Sequence, residues 1–466
     1  MTPRTLSPVD AIWLNMERAE NLMVIEALVL LDGPVDRARL ERVLQHRVVD
    51  RYPVFRQRLV RPRLPGGLPR WADVATFDVA DHVRQVVLPA PGDDSALQQY
   101  VGGFLSTPLP RDRPLWEVHL VDGLTSGSAM YVRLHHAMSD GIALTRVLLS
   151  LTDADPDAQP DAGPVEESVL VSPAATRPRS RPARLRSGIG LGLKLGVQAV
   201  QAVQAVEVAA KLVFARNPTT TMSARSGRTG RDKLIVWSDP IPLAHVKEIA
   251  RANRTTINDV VVGALAGALQ RSQSHRGERP VDVRTMIPVN LRPLDEPLPA
   301  RLGNRFAVVL LTLPSGLATP LARLAETKRR MDEIKGSPEA VLTSALIHGI
   351  GLTGAWLSRP IVSFFTNKAD AVTTNVPGPR EHRYLAGTRI DGLLGWVPAS
   401  SNQTLGTCIF TYAGTLRVGF KSDALAIPDP GRLLAGFVAE LAALHPGGAA
   451  AGPGVAAEPA PPLIRV

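Results

Sequence analysis

The sequence predicts a mixed α/β protein (α+β in its lobes), and three observations carry that expectation. Apolar, β-branched runs such as residues 24–31 and 233–237 alternate with segments of helical spacing such as residues 36–49. The chain has 466 residues, more than one hydrophobic core organises, so two domains of about 150–250 residues each are expected. Hydrophobic residues make up 45%, the share of a globular chain with an ample core rather than of a disordered or spanning one.

Each element follows from its own pattern. Residues 6–14 are an apolar start with turn chemistry at Ser7 and Pro8. Residues 24–31 read as a buried strand, and residues 36–49 as a helix with Leu40, Val43, Leu44 and Val48 on one side. Further strands and a hairpin over 116–134 complete a first lobe, 1–152. Residues 153–186 break the pattern. They are Pro-rich, acidic over 153–158 and basic over 177–186, the composition of a solvated linker. The second lobe, 187–445, opens with an apolar helix over 188–214 that carries a triple Val-Gln-Ala repeat at 197–205. Lys194, Glu207 and Lys211 interrupt that stretch, so it is expected to pack between the lobes or lie on lipid rather than span it. Residues 340–358 are nearly long enough to span, but His348, two threonines and three glycines point to a buried or interfacial helix. A Gly/Ala/Pro-rich tail, 446–466, is expected to be disordered.

The net charge is +10, which suits an anionic lipid surface or a polyanionic substrate. Aromatics are only 5% and no nucleic-acid-binding module is recognisable, so nucleic acid is not an expected partner. The single cysteine, Cys408, excludes an internal disulfide and sits in a strand-like run that makes it a core residue rather than a nucleophile. Residues 1–8 lack the apolar run of a secretory signal, and a cytoplasmic location is expected.

The densest chemistry lies at residues 135–141, which read HHxxxDG: His135, His136, Asp140 and Gly141. A strand pattern over 129–134 precedes them and a helical pattern over 142–149 follows. An imidazole is the side chain best matched to taking a hydroxyl proton near neutral pH. Successive residues leaving a strand point to opposite sides, so one histidine is expected to be the base and the other a packed neighbour. Asp140 can contact an imidazole, cap the following helix, or pair with an arginine that holds the loop. Gly141 leaves room for substrate or permits a tight bend. No second cluster of Cys or His with ligand spacing accompanies the motif, so no metal is expected.

HHxxxDG is the signature of the coenzyme A-dependent acyltransferase superfamily, and the wider pattern resembles its bacterial wax ester synthase/diacylglycerol O-acyltransferase family. Pro114, Leu115 and Trp116 stand where those proteins carry Pro-Leu-Trp, and Asn258-Asp259 matches their Asn-Asp helix start. Pro288-Val289-Asn290-Leu291-Arg292, Gly303-Asn304-Arg305 and Asn375-Val376-Pro377-Gly378-Pro379 resemble further family elements, and the likeness runs from Leu6 to about Phe437. Each also has a local structural reading. Trp116 alternates like a strand anchor, Thr256 and Asp259 form a capping box, and 375–379 is turn chemistry.

The resemblance implies two chloramphenicol-acetyltransferase-like lobes in a V with a central tunnel. It also implies that Asp140 pairs with an arginine of the second lobe, for which Arg292 is the best positional match. The activity expected is diacylglycerol O-acyltransfer, with long-chain alcohols as lesser acceptors. His136 would be the base and His135, Asp140 and Gly141 its companions, with Arg292, Asn258, Asp259, Pro114 and Trp116 supporting them. No cofactor is implied, acyl-CoA being a substrate. The expected partners are acyl-CoA and diacylglycerol or fatty alcohol, with the inner membrane face or lipid droplets as a peripheral surface, and a monomer is expected. Two alternatives stay open: a condensation-like enzyme with a carrier-bound donor or another hydroxyl or amine acceptor, and a non-catalytic lipid-surface module. The HxxxxD reading of His135 to Asp140 lacks the downstream Glu-Gly-Thr-Arg motif of glycerol phosphate acyltransferases. The plant-type Asp-Phe-Gly-Trp-Gly is only approximated, at Leu394-Gly395-Trp396-Val397.

Overall fold

In the first half, β1 (Arg4–Thr5), α1 (Pro8–Met16), β2 (Val24–Leu31), α2 (Arg37–Leu44), β3 (Gln57–Val60), β4 (Arg70–Asp73) and β5 (Val83–Val87) lead to α3 (Asp94–Gly102). Then come β6 (Trp116–Leu124), β7 (Gly127–His135), α4 (Gly141–Ser150) and β8 (Thr152–Asp153). The second half begins with β9 (Lys233–Trp237), β10 (Ile241–Pro242), α5 (Leu243–Ala252), α6 (Ile257–His275), β11 (Val283–Asn290) and β12 (Phe306–Leu313). It continues with α7 (Pro320–Lys335), α8 (Glu339–Gly351), α9 (Ala355–Thr366), β13 (Ala371–Pro377), β14 (Tyr384–Leu385), β15 (Thr388–Trp396), β16 (Leu405–Tyr412), β17 (Thr415–Asp423) and α10 (Pro430–Leu444). This computed structural model describes residues 4–60, 67–159, 229–292, 296–337, 339–353 and 355–446. Most of the expected linker (160–186), the apolar stretch 188–214 and the tail from 447 onward lie outside the described residues.

Local signals explain most boundaries. Ser7 caps α1 by accepting the Asp10 N–H, with Pro8 at the first helical position. Thr256 and Asp259 close a capping box at the start of α6. The helix read over 36–49 is interrupted: α2 starts from its Asp36 cap and ends at Leu44, and a wider π-type turn over Gln45–Val49 brings Val48 and Val49 into the core. Residues 340–358 are two helices, α8 and the start of α9, rather than one. No helix among the described residues is long and apolar enough to cross a membrane.

Two seven-stranded sheets carry the architecture. The first runs β5-β6-β7-β2-β15-β14-β8, with β5 and β6 parallel and each neighbouring pair from β6 through β7 and β2 to β15 antiparallel. Its strand β15 comes from residues that the sequence pattern assigns to the second lobe: Ile390 faces Leu31 and Trp396 faces Glu26. Strand periodicity says that a strand forms but not which sheet it joins. Here a second-half strand closes the free edge of β2 and ties the halves together. The second sheet runs β10-β17-β16-β13-β11-β12, with β9 also pairing to β17. Helix α6 lies buried from Asp259 to Leu269 and packs against α7 and α10. Between the halves, α8 and α9 pack against α1 and, in the case of α8, β12.

Candidate active site

Strand β7 sits between β6 and β2, buried from Ser128 to His135, and delivers both histidines at its end. The two neighbouring chains hold their backbones. The His135 N–H donates to the Leu115 carbonyl at 3.0 Å, and the His136 N–H to the Met23 carbonyl at 2.8 Å. The Pro-Leu-Trp segment thus does two structural things. Leu115 anchors the histidine backbone, and Trp116 is buried, donates from Nε1 to the Phe55 carbonyl at 2.8 Å and stacks on His82. Pro114 is buried beside them.

The side chains diverge, as strand geometry requires. His135 is buried; its Nδ1 accepts the Ala137 N–H at 3.0 Å, so Nε2 carries the hydrogen toward Glu17 Oε2 at 2.7 Å. Glu17 also receives Arg111 at 2.5 Å and the Met23 N–H at 3.2 Å. Burial pushes its carboxyl up, but the His135 hydrogen bond and the Arg111 charge outweigh that and hold it at about 2. His136 is half-buried and opens onto an interlobe cavity, its ring stacked on Trp13 with centroids 3.6 Å apart and planes 12° from parallel. Enclosure by protein lowers its pKa to about 3, helped by the neighbouring His135 and opposed by its Asn304 contact. The imidazole is therefore neutral, the form a base needs.

Asp140 touches neither ring through a hydrogen bond among the described residues. It caps α4, accepting the Ala143 N–H at 2.9 Å, and its other oxygen accepts the Arg305 N–H at 3.0 Å. Burial raises its pKa against those donors. Arg292 Nη2 is 4.0 Å from Asp140 and donates to the Gly303 carbonyl at 3.1 Å. The expected partner is thus nearby, while the direct bond to Asp140 comes from second-lobe backbone. The same short segment takes the Ser139 hydroxyl on Gly303 O at 3.1 Å and meets His136 through Asn304. Gly141 has a negative φ, and a Cβ added there would meet nothing within 4 Å, so it leaves space in the cavity wall rather than making a bend.

The cavity measures about 530 Å³, in the range of small-ligand sites. His136, Asp140, Gly141, Ile142 and Leu148 contribute from one side, and Pro288, Phe306, Val308, Ile347, Phe365 and Val376 from the other. Its wall is mostly apolar, with Asn290, Thr374 and Asn375 among the few polar groups. Asn375 donates to Asn258 at 3.0 Å, so the Asn-Asp segment braces the wall through Asn258 while Asp259 closes the capping box. Cys408 lies in this wall, and burial pushes its thiol up to about 12, leaving it protonated. Glu17, Asp10 and Trp13 escape sequence reasoning because lone residues in a short helical segment carry no spacing signal. Asn304 was legible only as part of a family element.

The chain resembles known proteins along nearly its whole length. Two Mycobacterium tuberculosis proteins whose names are, provisionally, diacylglycerol O-acyltransferase are 32% and 29% identical to it. The first alignment covers 93% of this chain and 95% of the relative, the second 94% and 96%. Among solved structures, the wax ester synthase/diacylglycerol acyltransferase from Marinobacter aquaeolei VT8 superposes with a TM-score of 0.68 at 22% identity, covering 96% of this chain and all of that one. A condensation domain of the calcium-dependent antibiotic synthetase gives 0.60 at 19% identity, covering 95% and 97%, and shares the two-lobed fold. Residues 6–261 match the wax ester synthase/diacylglycerol acyltransferase catalytic domain and residues 302–445 the C-terminal domain of the same proteins, so the chain belongs to the wax ester synthase/diacylglycerol acyltransferase family.

Proposed function

We propose that this chain is an acyltransferase that esterifies diacylglycerol with the acyl group of acyl-CoA, and long-chain alcohols as a lesser activity. The observation that carries the reading is a neutral histidine facing an apolar interlobe cavity. His136 Nε2 takes the acceptor's hydroxyl proton as that oxygen attacks the thioester carbonyl carbon. The tetrahedral intermediate then collapses, the carbon–sulfur bond breaks, and the imidazolium returns the proton to the departing thiolate. Ester and free thiol leave, and no acyl group resides on the protein. Trp13 confines the ring, His135 and Glu17 fix the preceding turn, and Asp140 fixes the following helix.

Both proposed lipid substrates partition into membranes, and the proposed location is the inner membrane face or a lipid-droplet surface, with the protein attached peripherally. The surplus of ten positive charges supports this. So do Leu352 (78% exposed), in the turn that follows α8, and Phe364 (44% exposed), on α9, the two helices whose inner residues line the cavity.

The test is direct. Purified protein is incubated with labelled palmitoyl-CoA against diacylglycerol, hexadecanol and a small amine, and the products are separated. Triacylglycerol as the main product is expected, and His136→Ala, folded as judged by its thermal transition, forms none. Amide as the main product, or full ester formation by His136→Ala, overturns the reading.

A further inference from the structure

The geometry points to Asn304, oriented by Asp10, as the residue that decides which nitrogen of His136 is free to take a proton. This rests on His136 being the base. Asn304 Nδ2 lies 2.8 Å from Asp10 Oδ1 and 2.9 Å from the His136 carbonyl oxygen. A carboxylate and a carbonyl can only accept, so both demand the NH₂ end of the amide. The amide oxygen is then left facing His136 Nδ1 at 3.0 Å. Since that oxygen can only accept, Nδ1 must carry the hydrogen and donate it. A neutral imidazole protonated at Nδ1 has its lone pair on Nε2. Nε2 has no hydrogen-bond partner among the described residues, and the ring forms part of the cavity wall.

Asp10 is well placed to hold the amide. It is buried in α1, and the same Oδ1 accepts the Asn304 backbone N–H at 2.8 Å, so both ends of Asn304 are tethered to one carboxylate. Asn304 does not line the cavity and cannot meet the reacting atoms; it is a positioning residue. The neighbouring histidine makes the contrast. His135 accepts at Nδ1 from Ala137 and points Nε2 at Glu17, the opposite tautomer. Two adjacent imidazoles are thus set in opposite proton patterns, and the His136 pattern exists only where α1, the histidine turn and the strand-entry segment of β12 meet.

Protein labelled with ¹⁵N in its histidine rings tests this by NMR, with His136→Gln used to assign the signals. The expected result is a protonated Nδ1 and bare Nε2 for His136, with the reverse for His135. In Asn304→Ala the His136 pattern shifts toward Nε2–H. Its kcat falls by up to about 10⁴-fold, the scale of a wrong-tautomer base, while KM changes little. Asp10→Asn, which keeps one oxygen facing Asn304, retains the wild-type nitrogen pattern. A proton on Nε2 of wild-type His136, or an unchanged pattern and turnover in Asn304→Ala, overturns the inference. Should the wild-type chain form no ester while its nitrogens follow this pattern, the catalytic reading falls and the tautomer assignment stands.

Discussion

His135 and His136 are neighbours in sequence and opposites in environment, and that difference has measurable consequences. The folded His136 pKa is about 3 against an ordinary 6.5, so the unfolded chain binds the proton more tightly. Its contribution to stability is complete above pH 6.5 and is lost as the pH falls from there toward 3. Glu17, at about 2 when folded against 4.5, adds a second loss between pH 4.5 and 2. The melting temperature therefore begins to drop below about pH 6.5, and His136→Gln flattens the upper part of that decline; an unchanged profile in the variant would contradict the assignment. With His136 as the proposed base, kcat/KM is for the same reason expected to lack an acid limb near pH 6.5. At Asp140, alanine removes the cap of α4, costing about 1 kcal/mol, and leaves the Arg305 N–H unpaired, costing about 1–3 kcal/mol more. Arg292→Ala, whose guanidinium is 4.0 Å away, costs less in denaturant titration. Gly141→Ala keeps or slightly raises stability, because its Cβ meets no neighbour, while reducing turnover of bulky acceptors.

At the scale of elements, helix α6 shows how buried charge constrains the choice of residue. Arg323 and Glu440 form a buried pair at 2.5 Å beside it, from α7 and α10. A Cβ on Gly267 would lie 2.1 Å from Glu440 Cδ. Gly267→Ala is therefore expected to destabilise the second lobe by at least about 1–3 kcal/mol, despite alanine's better helix propensity. A gain in stability would mean that the Glu440 carboxylate moves aside freely. The capping box and Pro-Leu-Trp segment work at this scale as well. Each fixes where an element starts, and through Asn258–Asn375 and Leu115–His135 each start reaches the cavity wall or the histidine pair.

For the whole molecule, the decisive feature is that the site belongs to neither half alone. Strand β15 crosses into the first sheet, and residues 303–305 of the second half hold Ser139, Asp140 and His136. Closing the halves is what creates the mostly apolar cavity, and the same enclosure lowers the pKa of His136 while leaving its ring in the cavity wall. The exposed turn after α8 and the outward face of α9 belong to this scale too. Binding to anionic phospholipid vesicles is expected to weaken with added salt and in a Leu352→Glu, Phe364→Glu double variant, as read by co-sedimentation. Vesicle binding indifferent to both changes would remove that surface from consideration.

Much of this protein was decided locally and could be read from its residues in order. Strands β2, β7 and β9, helix α4, the capping box at Thr256 and the histidine motif all rest on spacing within a few positions, where periodicity and capping chemistry act. That local record also carried the family elements, and with them the two-lobed fold. The tertiary structure alone decided which residues hold the two histidines. His135 meets Glu17 across 118 positions and Asn304 meets Asp10 across 294, and β15 chose its sheet by where an unpaired edge stood. Such contacts are selected by burial, because an enclosed polar group must find a partner wherever the chain brings one, and no spacing along the chain encodes that choice.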